Sequence, residues 1–65
     1  MDYKNIIYNV AKTLDPDLDI NVSIFSVDKA EFLGDAHFVV ADIHYPERDM
    51  RIPFVIYNNG DLYSL

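Results

Sequence analysis

Apolar residues recur near the start of the chain at the spacing of an α-helix. They fall at i, i+3, i+4, i+7, i+8 and i+11, which is one face of a helix with about 3.6 residues per turn. The positions are Tyr3, Ile6, Ile7, Val10, Ala11 and Leu14. Asp2 is the expected N-cap, and Pro16 should end the helix at or before Asp15. The pattern therefore predicts one amphipathic N-terminal helix.

The rest of the chain has the pattern of short β-strands. Residues 20–27, 36–45 and 50–58 are strand-like runs, and residues 46–49 form a tight turn between the last two. Asn59-Gly60, between two apolar runs, predicts a two-residue hairpin turn and a fourth strand. Residues 28–35 should form one helical turn that Asp28 caps. We expect Phe32 and Leu33, within this turn, to close over the core. The predicted fold is α+β, a helix packed on a four-stranded antiparallel meander, in one domain of residues 1–65.

The two hairpin turns predict a strand register. Pairing Tyr45 with Met50 sets Val39 opposite Ile56, and the Asn59-Gly60 turn sets Ile56 opposite Tyr63. The face toward the helix then carries Val39, Ala41, Ile43, Ile52, Phe54, Ile56 and Tyr63. Pro53 lacks a ladder donor, so either its N–H side is unpaired or the third strand bulges.

The opposite face of the sheet, here called the outer face, is predicted to be half polar and half apolar. Its polar end carries Asn21, Ser23, Asp42, His44 and Arg51. Its apolar end lies toward the Asn59-Gly60 turn and is large enough to mark an interaction site. The predicted partner-binding anchors are Phe25, Phe38, Val40, Val55, Tyr57 and Leu62, beside Val27. Four interpretations of this apolar end remain open. It could form a self-interface, bind another protein, be covered by residues 28–35, or simply stabilise the sheet through cross-strand pairs.

The charge balance adds a second candidate surface. Eleven acidic and five basic residues give a net charge of −6. Such a charge disfavours direct binding to nucleic acid or to an anionic membrane and attracts basic proteins, although it also serves solubility. The meander brings the helix–strand connector and the 46–49 turn to one end of the sheet. The candidate acidic cluster there is Asp15, Asp17, Asp19, Glu47 and Asp49.

Few residues suggest catalysis or metal binding. Asp42 and His44 share a strand face with Arg51, but a single pair is not a convergent catalytic set. Asp15, Asp17 and Asp19 have the spacing of a calcium loop, yet Ile20 stands where that loop needs glycine. There is no cysteine for a disulfide or a metal. We therefore expect a protein that is not an enzyme and has no cofactor or bound metal.

The expected function is non-enzymatic binding, as a stoichiometric inhibitor of a nucleic-acid-handling protein. Its carboxylates would occupy a basic groove as phosphates do, in the manner of a DNA mimic. In size, acidity and lack of cysteine the chain resembles phage and mobile-element counter-defence proteins, including anti-CRISPR and anti-restriction proteins. With no signal peptide apparent, the expected location is cytoplasmic, in the host cell if phage-encoded. The alternatives are a homodimeric accessory subunit joined through the outer face, and a small metal-dependent hydrolase using Asp42, His44 or the carboxylates of residues 15–19.

Overall fold

The computed structural model describes all residues, 1–65, as one helix on one antiparallel sheet. The elements are α1 (Tyr3–Leu14), β1 (Asn21–Ala30), a 3₁₀ turn (Glu31–Leu33), β2 (Ala36–His44), β3 (Asp49–Tyr57) and β4 (Leu62–Ser64). The strand order is β1-β2-β3-β4, with every neighbouring pair antiparallel. The predicted α+β meander is confirmed. No helix of the fold has the length and apolar character needed to cross a membrane.

The helix begins and ends where the sequence predicts. The side chain of Asp2 accepts a hydrogen bond from the Asn5 amide at 3.1 Å, which satisfies one of the free donors of the first turn. The Asp15 amide donates to the Ala11 carbonyl at 3.0 Å, and Pro16 follows. The helix buries Ile7 and Ala11 completely.

The β2–β3 register differs from the prediction by two residues. Val39 lies opposite Phe54, and His44 pairs with Asp49. The hairpin therefore closes one residue earlier on each strand, and the Tyr45 amide donates to the Arg48 carbonyl at 2.8 Å. A shift of two keeps every side chain on its predicted face, because side chains alternate with a period of two. The predicted core face survives the error.

The β3–β4 register is wrong by one residue, which reverses the faces of β4. Ile56 lies opposite Leu62, and Val55 lies opposite Tyr63. Within this turn only Gly60 has a positive φ, of 93°, and the pairing leaves three loop residues, not the predicted two. This is the hairpin type in which a glycine in the left-handed region ends a type I turn. Leu62 therefore packs on the core side, and Tyr63 lies on the outer face.

A β-bulge at Phe25 interrupts β1. Ile24 pairs with Ala41 and Ser26 pairs with Val40, so Phe25 has no partner on β2. Beyond the bulge the faces exchange, and Val27 lies opposite Val39 on the helix side, not on the outer face as predicted. The third strand, by contrast, has no bulge at Pro53.

Pro53 is accommodated through the side of β3 that faces β4. Its carbonyl accepts a hydrogen bond from the Leu65 amide at 3.1 Å. The amide and carbonyl of a strand residue point the same way in an antiparallel sheet, so the missing N–H also faces β4. The short fourth strand ends there, and no bond of the β2–β3 ladder is lost.

The segment between β1 and β2 does not close over the core. Asp28 is not a cap, because β1 continues past it to Ala30, and the 3₁₀ turn has no side-chain cap. Gly34 does end that turn, with a φ of 73°. Phe32 is 85% exposed, because so short a connection cannot fold back over the sheet.

The main core lies between α1 and the sheet. It consists of Ile7, Ala11, Ile20, Val22, Val39, Ala41, Ile43, Phe54 and Ile56. A second, smaller cluster lies on the outer face and consists of Ala30, Ala36 and Val55, with Phe38 and Tyr57 packed against it.

Candidate functional site

The structure brings the α1–β1 connector beside the β2–β3 turn, as predicted. The two segments form a groove of about 430 Å³, here called the acidic groove. It is lined by Asp15, Leu18, Tyr45, Pro46, Glu47, Arg48 and Met50. Carboxylates from two distant parts of the chain therefore border one concave surface with an apolar floor.

A lysine of the helix orders the connector. The Lys12 ammonium donates to the carbonyl oxygens of Leu18, at 2.6 Å, and Pro16, at 3.3 Å. Lys12 therefore ties the connector to the last turn of α1, where a cation also suits the negative end of the helix dipole. Of the neighbouring acids, Asp17 and Asp19 are exposed and make no side-chain hydrogen bond, so they are free to accept from an external donor.

The net charge is confined to the two ends of the sheet. At the connector end lie five acids, Asp15, Asp17, Asp19, Glu47 and Asp49, with Lys12 and Arg48. At the opposite end lie Asp28, Glu31, Asp35 and Asp61, with Lys29. Each end carries a net charge of −3, and the remaining charges cancel. Only the connector end combines these charges with the acidic groove.

The polar end of the outer face contains a hydrogen-bonded chain that runs across three strands. Ser23 Oγ lies 2.9 Å from His44 Nε2, and His44 Nδ1 lies 2.9 Å from Asp49 Oδ1. A carboxylate only accepts, so Nδ1 donates to Asp49, and in the tautomer with its proton on Nδ1 the ring accepts from the serine hydroxyl through Nε2. The order of groups is that of a nucleophile, a general base and an orienting acid.

Sequence reasoning missed this chain. It paired His44 with Asp42, two residues away on the same strand, whereas the structure uses Asp49, directly opposite on β3. The correct β2–β3 register, in which the hairpin closes at His44 and Asp49, would have predicted this contact. The Ser23–His44–Asp49 chain lies on an open sheet face, and the grooves of the molecule are elsewhere. Acyl transfer requires a substrate cleft and oxyanion donors beside the nucleophile.

A salt bridge and an aromatic ring lie beside that chain. Arg51 donates to both carboxylate oxygens of Asp42, from Nε at 2.8 Å and from Nη2 at 3.1 Å. These hydrogen bonds lower the pKa of Asp42 and raise the pKa of Arg51. The guanidinium carbon lies 3.7 Å from the centroid of the Phe25 ring, a cation–π contact. The bulge thus places Phe25 in the polar end, away from the predicted apolar patch.

The apolar end of the outer face is smaller than predicted. Val55 is buried within the small cluster, while Phe38, Val40 and Tyr57 are half-buried. Leu62 lies on the other face, and Tyr63 takes its place, in a perpendicular ring contact with Tyr57 at 5.8 Å between centroids. Of the predicted anchors, Phe38, Val40 and Tyr57 therefore still present area on this face.

The structure reveals a second groove, on the helix side, that sequence reasoning did not predict. It has a volume of about 500 Å³ and runs between α1 and the β3–β4 margin of the sheet. Eleven of its fourteen lining residues are hydrophobic, including Val10, Leu14, Ile52, Leu62 and Leu65. It is called the helix-side groove below.

No metal ligand set is formed. The carboxylates and the two histidines nowhere gather into a group of three that could hold a metal ion. Comparison of the chain with protein-family models, with curated proteins and with solved structures gave no match. The fold and its surfaces define a small acidic α+β domain with two adjoining grooves.

Proposed function

We propose that this chain is a non-enzymatic binding protein that acts as a stoichiometric inhibitor of a nucleic-acid-handling protein. The observation that carries the proposal is the acidic groove, where the carboxylates of the connector and of the β2–β3 turn meet around Leu18, Tyr45 and Met50. Carboxylates on a basic groove accept hydrogen bonds from Arg and Lys as phosphates do.

The mixture of charge and apolar floor is what such an interface needs. Charges at the rim speed association and select a basic partner, whereas buried apolar and aromatic anchors provide most of the affinity. Asp17, Asp19 and Glu47 are exposed and form no internal salt bridge, so binding would not have to break one. Tyr45 and Met50 are half-buried in the acidic groove beside Glu47 and supply the anchor.

The proposed partner class follows from charge. Proteins that handle nucleic acid carry basic grooves, and the net charge of −6 repels nucleic acid itself. A partner of this kind fits a counter-defence protein of a phage or mobile element, acting in the cytoplasm of the host cell. It also fits a DNA mimic whose carboxylates stand in for phosphates.

The test is displacement of a fluorescein-labelled DNA duplex from enzymes with basic DNA grooves, followed by anisotropy. A guide-loaded Cas9-type effector and a restriction endonuclease form the first panel. Two triple variants provide a matched comparison: Asp17→Asn with Asp19→Asn and Glu47→Gln at the connector end, and Asp28→Asn with Glu31→Gln and Asp35→Asn at the other. Each removes three charges, and none of the six side chains forms a hydrogen bond in the structure.

The native chain should displace the duplex at a one-to-one ratio, and less completely as salt rises. The connector-end variant should lose displacement by at least tenfold, while the other variant keeps it. Equal losses in both variants would mean that overall charge acts without a specific site. Micromolar or weaker binding to every enzyme of the panel would refute the inhibitor proposal.

A homodimer through the outer face is the second candidate, favoured by Tyr63, which is exposed there in a perpendicular contact with the half-buried Tyr57. Light scattering after gel filtration at low and high salt tests it on the native chain and on Tyr63→Lys. A native dimer that Tyr63→Lys dissociates at both salts would support this candidate. A native monomer at both salts would exclude it.

A further inference from the structure

The helix covers only part of the sheet beneath it. A helix with its side chains is about 10 Å wide, while four strands spaced about 4.8 Å apart span more than that. α1 packs toward β1, and its buried residues are Ile7 and Ala11, which also form the inner edge of the groove. The helix-side groove is the strip of core face that remains beside it, over β3 and β4.

The walls of this strip are exposed apolar side chains. Val10 and Leu14, on the helix, are 39% and 75% exposed, and Leu65, after β4, is 69% exposed. Ile52 and Leu62 form a half-buried floor between them. An apolar groove of this size in a small domain is a surface that a partner would have to cover to remove it from water.

The helix-side groove adjoins the acidic groove. Tyr45 and Met50 line both of them. The carboxylates of Asp15 and Glu47 therefore stand at one mouth of the apolar strip, at the carboxyl end of α1. A ligand lying along the strip meets apolar walls and Arg51, whose charge is paired with Asp42. Where it emerges it meets Asp15 and Glu47, which with Arg48 give that end a net negative charge.

We propose that the helix-side groove docks an amphipathic helix of the partner protein, with basic residues at the end that reaches Asp15 and Glu47. The occupant would complete the helical layer that α1 begins. This inference deepens the proposed function and rests on it only in taking the partner to be basic. The binding mode is that of a helix in a groove, with apolar anchors at i, i+3, i+4 and i+7.

The structure favours a helix over a strand as the occupant. An extended segment would have to add to β4, which offers only the three residues Leu62–Ser64. α1 itself is 12 residues long, about 18 Å at 1.5 Å per residue, so a partner helix of three to four turns would run its whole length.

Charge disfavours a second copy as the occupant. Another chain would bring its own net charge of −6 to the carboxylates at the mouth, and its buried Ile7 and Ala11 could not serve as anchors. A basic helix gains from both the apolar strip and the carboxylates.

The probe is a fluorescein-labelled 14-residue peptide of leucine and lysine, with leucines on one helical face. Two control peptides share its length: one of the same composition in scrambled order, and one with glutamate for every lysine. Binding to the native chain is measured by anisotropy at low and moderate salt. The amphipathic basic peptide should bind at least tenfold more tightly than either control.

Two variants locate the site without changing the charge. Leu14→Gln removes an apolar wall of the groove, and Phe32→Gln removes a more exposed apolar side chain at the far end of the molecule. Because both side chains are mostly exposed, both variants should keep the native melting temperature. Leu14→Gln should weaken peptide binding about tenfold, the loss expected when one leucine no longer becomes buried, and Phe32→Gln less than twofold.

Four outcomes would overturn the inference. Two concern the controls: the scrambled peptide binds as tightly as the amphipathic one, or Leu14→Gln and Phe32→Gln weaken binding equally. The other two are a peptide Kd above about 1 mM, on the order of the weakest specific contacts, and a native dimer that Leu14→Gln dissociates. The DNA-displacement assay separates the two proposals. If the peptide binds in this pattern but the chain displaces no DNA, the inhibitor proposal is refuted and the docking groove stands. If the chain displaces DNA equally with Leu14→Gln and the peptide does not bind, the docking groove is refuted and the inhibitor proposal stands.

Discussion

Replacing Ile7 by alanine tests which side of α1 holds the helix on the sheet. Ile7 is 1% exposed and is among the largest fully buried side chains of the core. The substitution removes three carbon atoms, worth about 0.8 kcal/mol each in lost burial. The cavity left behind adds to that, so the expected cost is about 3–4 kcal/mol, within the range of about 2–5 kcal/mol for such truncations.

That cost is large for this chain. At about 0.05–0.15 kcal/mol per residue, a 65-residue domain has a total free energy of unfolding of about 3–10 kcal/mol. Urea unfolding of the native chain and of Ile7→Ala, followed by far-ultraviolet circular dichroism, measures the difference. The variant should unfold at much lower urea with an unchanged slope, or be partly unfolded without urea.

Val10→Ala, one turn further along the same helix, is the matched control. Val10 belongs to the same apolar stripe but is 39% exposed, so less packing is lost, and alanine has the better helix propensity. The expected change is below about 0.5 kcal/mol in either direction. If Val10→Ala costs as much as Ile7→Ala, the whole stripe is covered in solution and the free groove does not exist.

Three further predictions concern single side chains. Hydrogen bonds from Arg51 lower the pKa of Asp42 in the folded state. The pair therefore stabilises the fold at pH values above about 4, the ordinary range for an aspartate, and this contribution is lost as the pH falls through the lower pKa of the folded state. Melting temperatures from pH 6 to pH 2.5 should therefore fall less steeply for Asp42→Asn than for the native chain, whereas Asp28→Asn, whose carboxylate has no partner, should follow the native curve. His37 Nδ1 is buried without a hydrogen-bond partner, so His37→Leu should raise the free energy of unfolding by about 1 kcal/mol in urea titrations, and a loss would show that the imidazole is satisfied in solution. Gly60 has a φ of 93° with open space where a Cβ would lie, so Gly60→Ala should cost about 1 kcal/mol through backbone strain alone, and an unchanged melting temperature would contradict the three-residue turn.

The fold could be predicted from the sequence because its main signals are local. Helical spacing, the Asp2 cap and Pro16 defined α1, and strand alternation with turn residues defined the meander. The two errors that reverse the faces of strand residues lie where one residue is inserted or moved: the bulge at Phe25 and the three-residue turn before Asp61. Neither has a clear local signature, since bulges depend on the partner strand, and a glycine in a turn fits more than one hairpin type.

The candidate site divides in the same way. The approach of the connector to the β2–β3 turn followed from topology, because a meander brings both to one end of the sheet, whereas the groove between them, which only Asp15 and Glu47 of the predicted acidic cluster line, was not predicted. The Ser23–His44–Asp49 chain could not be predicted from topology, because it requires His44 to lie opposite Asp49. The predicted β2–β3 register differs from the observed one by two residues. Side-chain networks across strands depend on exact register, whereas clusters at the ends of a sheet do not.

The helix-side groove could have been inferred from the width of the apolar stripe on α1. Six positions of the stripe are apolar, but only Ile7 and Ala11 are buried. If the sheet alone had shaped this sequence, Leu14, which is 75% exposed, would gain little by being apolar, and a polar residue there would improve solubility. Instead, the charges that keep the chain in solution lie at the two ends of the sheet and leave this strip uncovered. The excess width of the stripe therefore matches a second contact of the helix, and a basic partner helix is the occupant that both its apolar walls and its acidic mouth would accept.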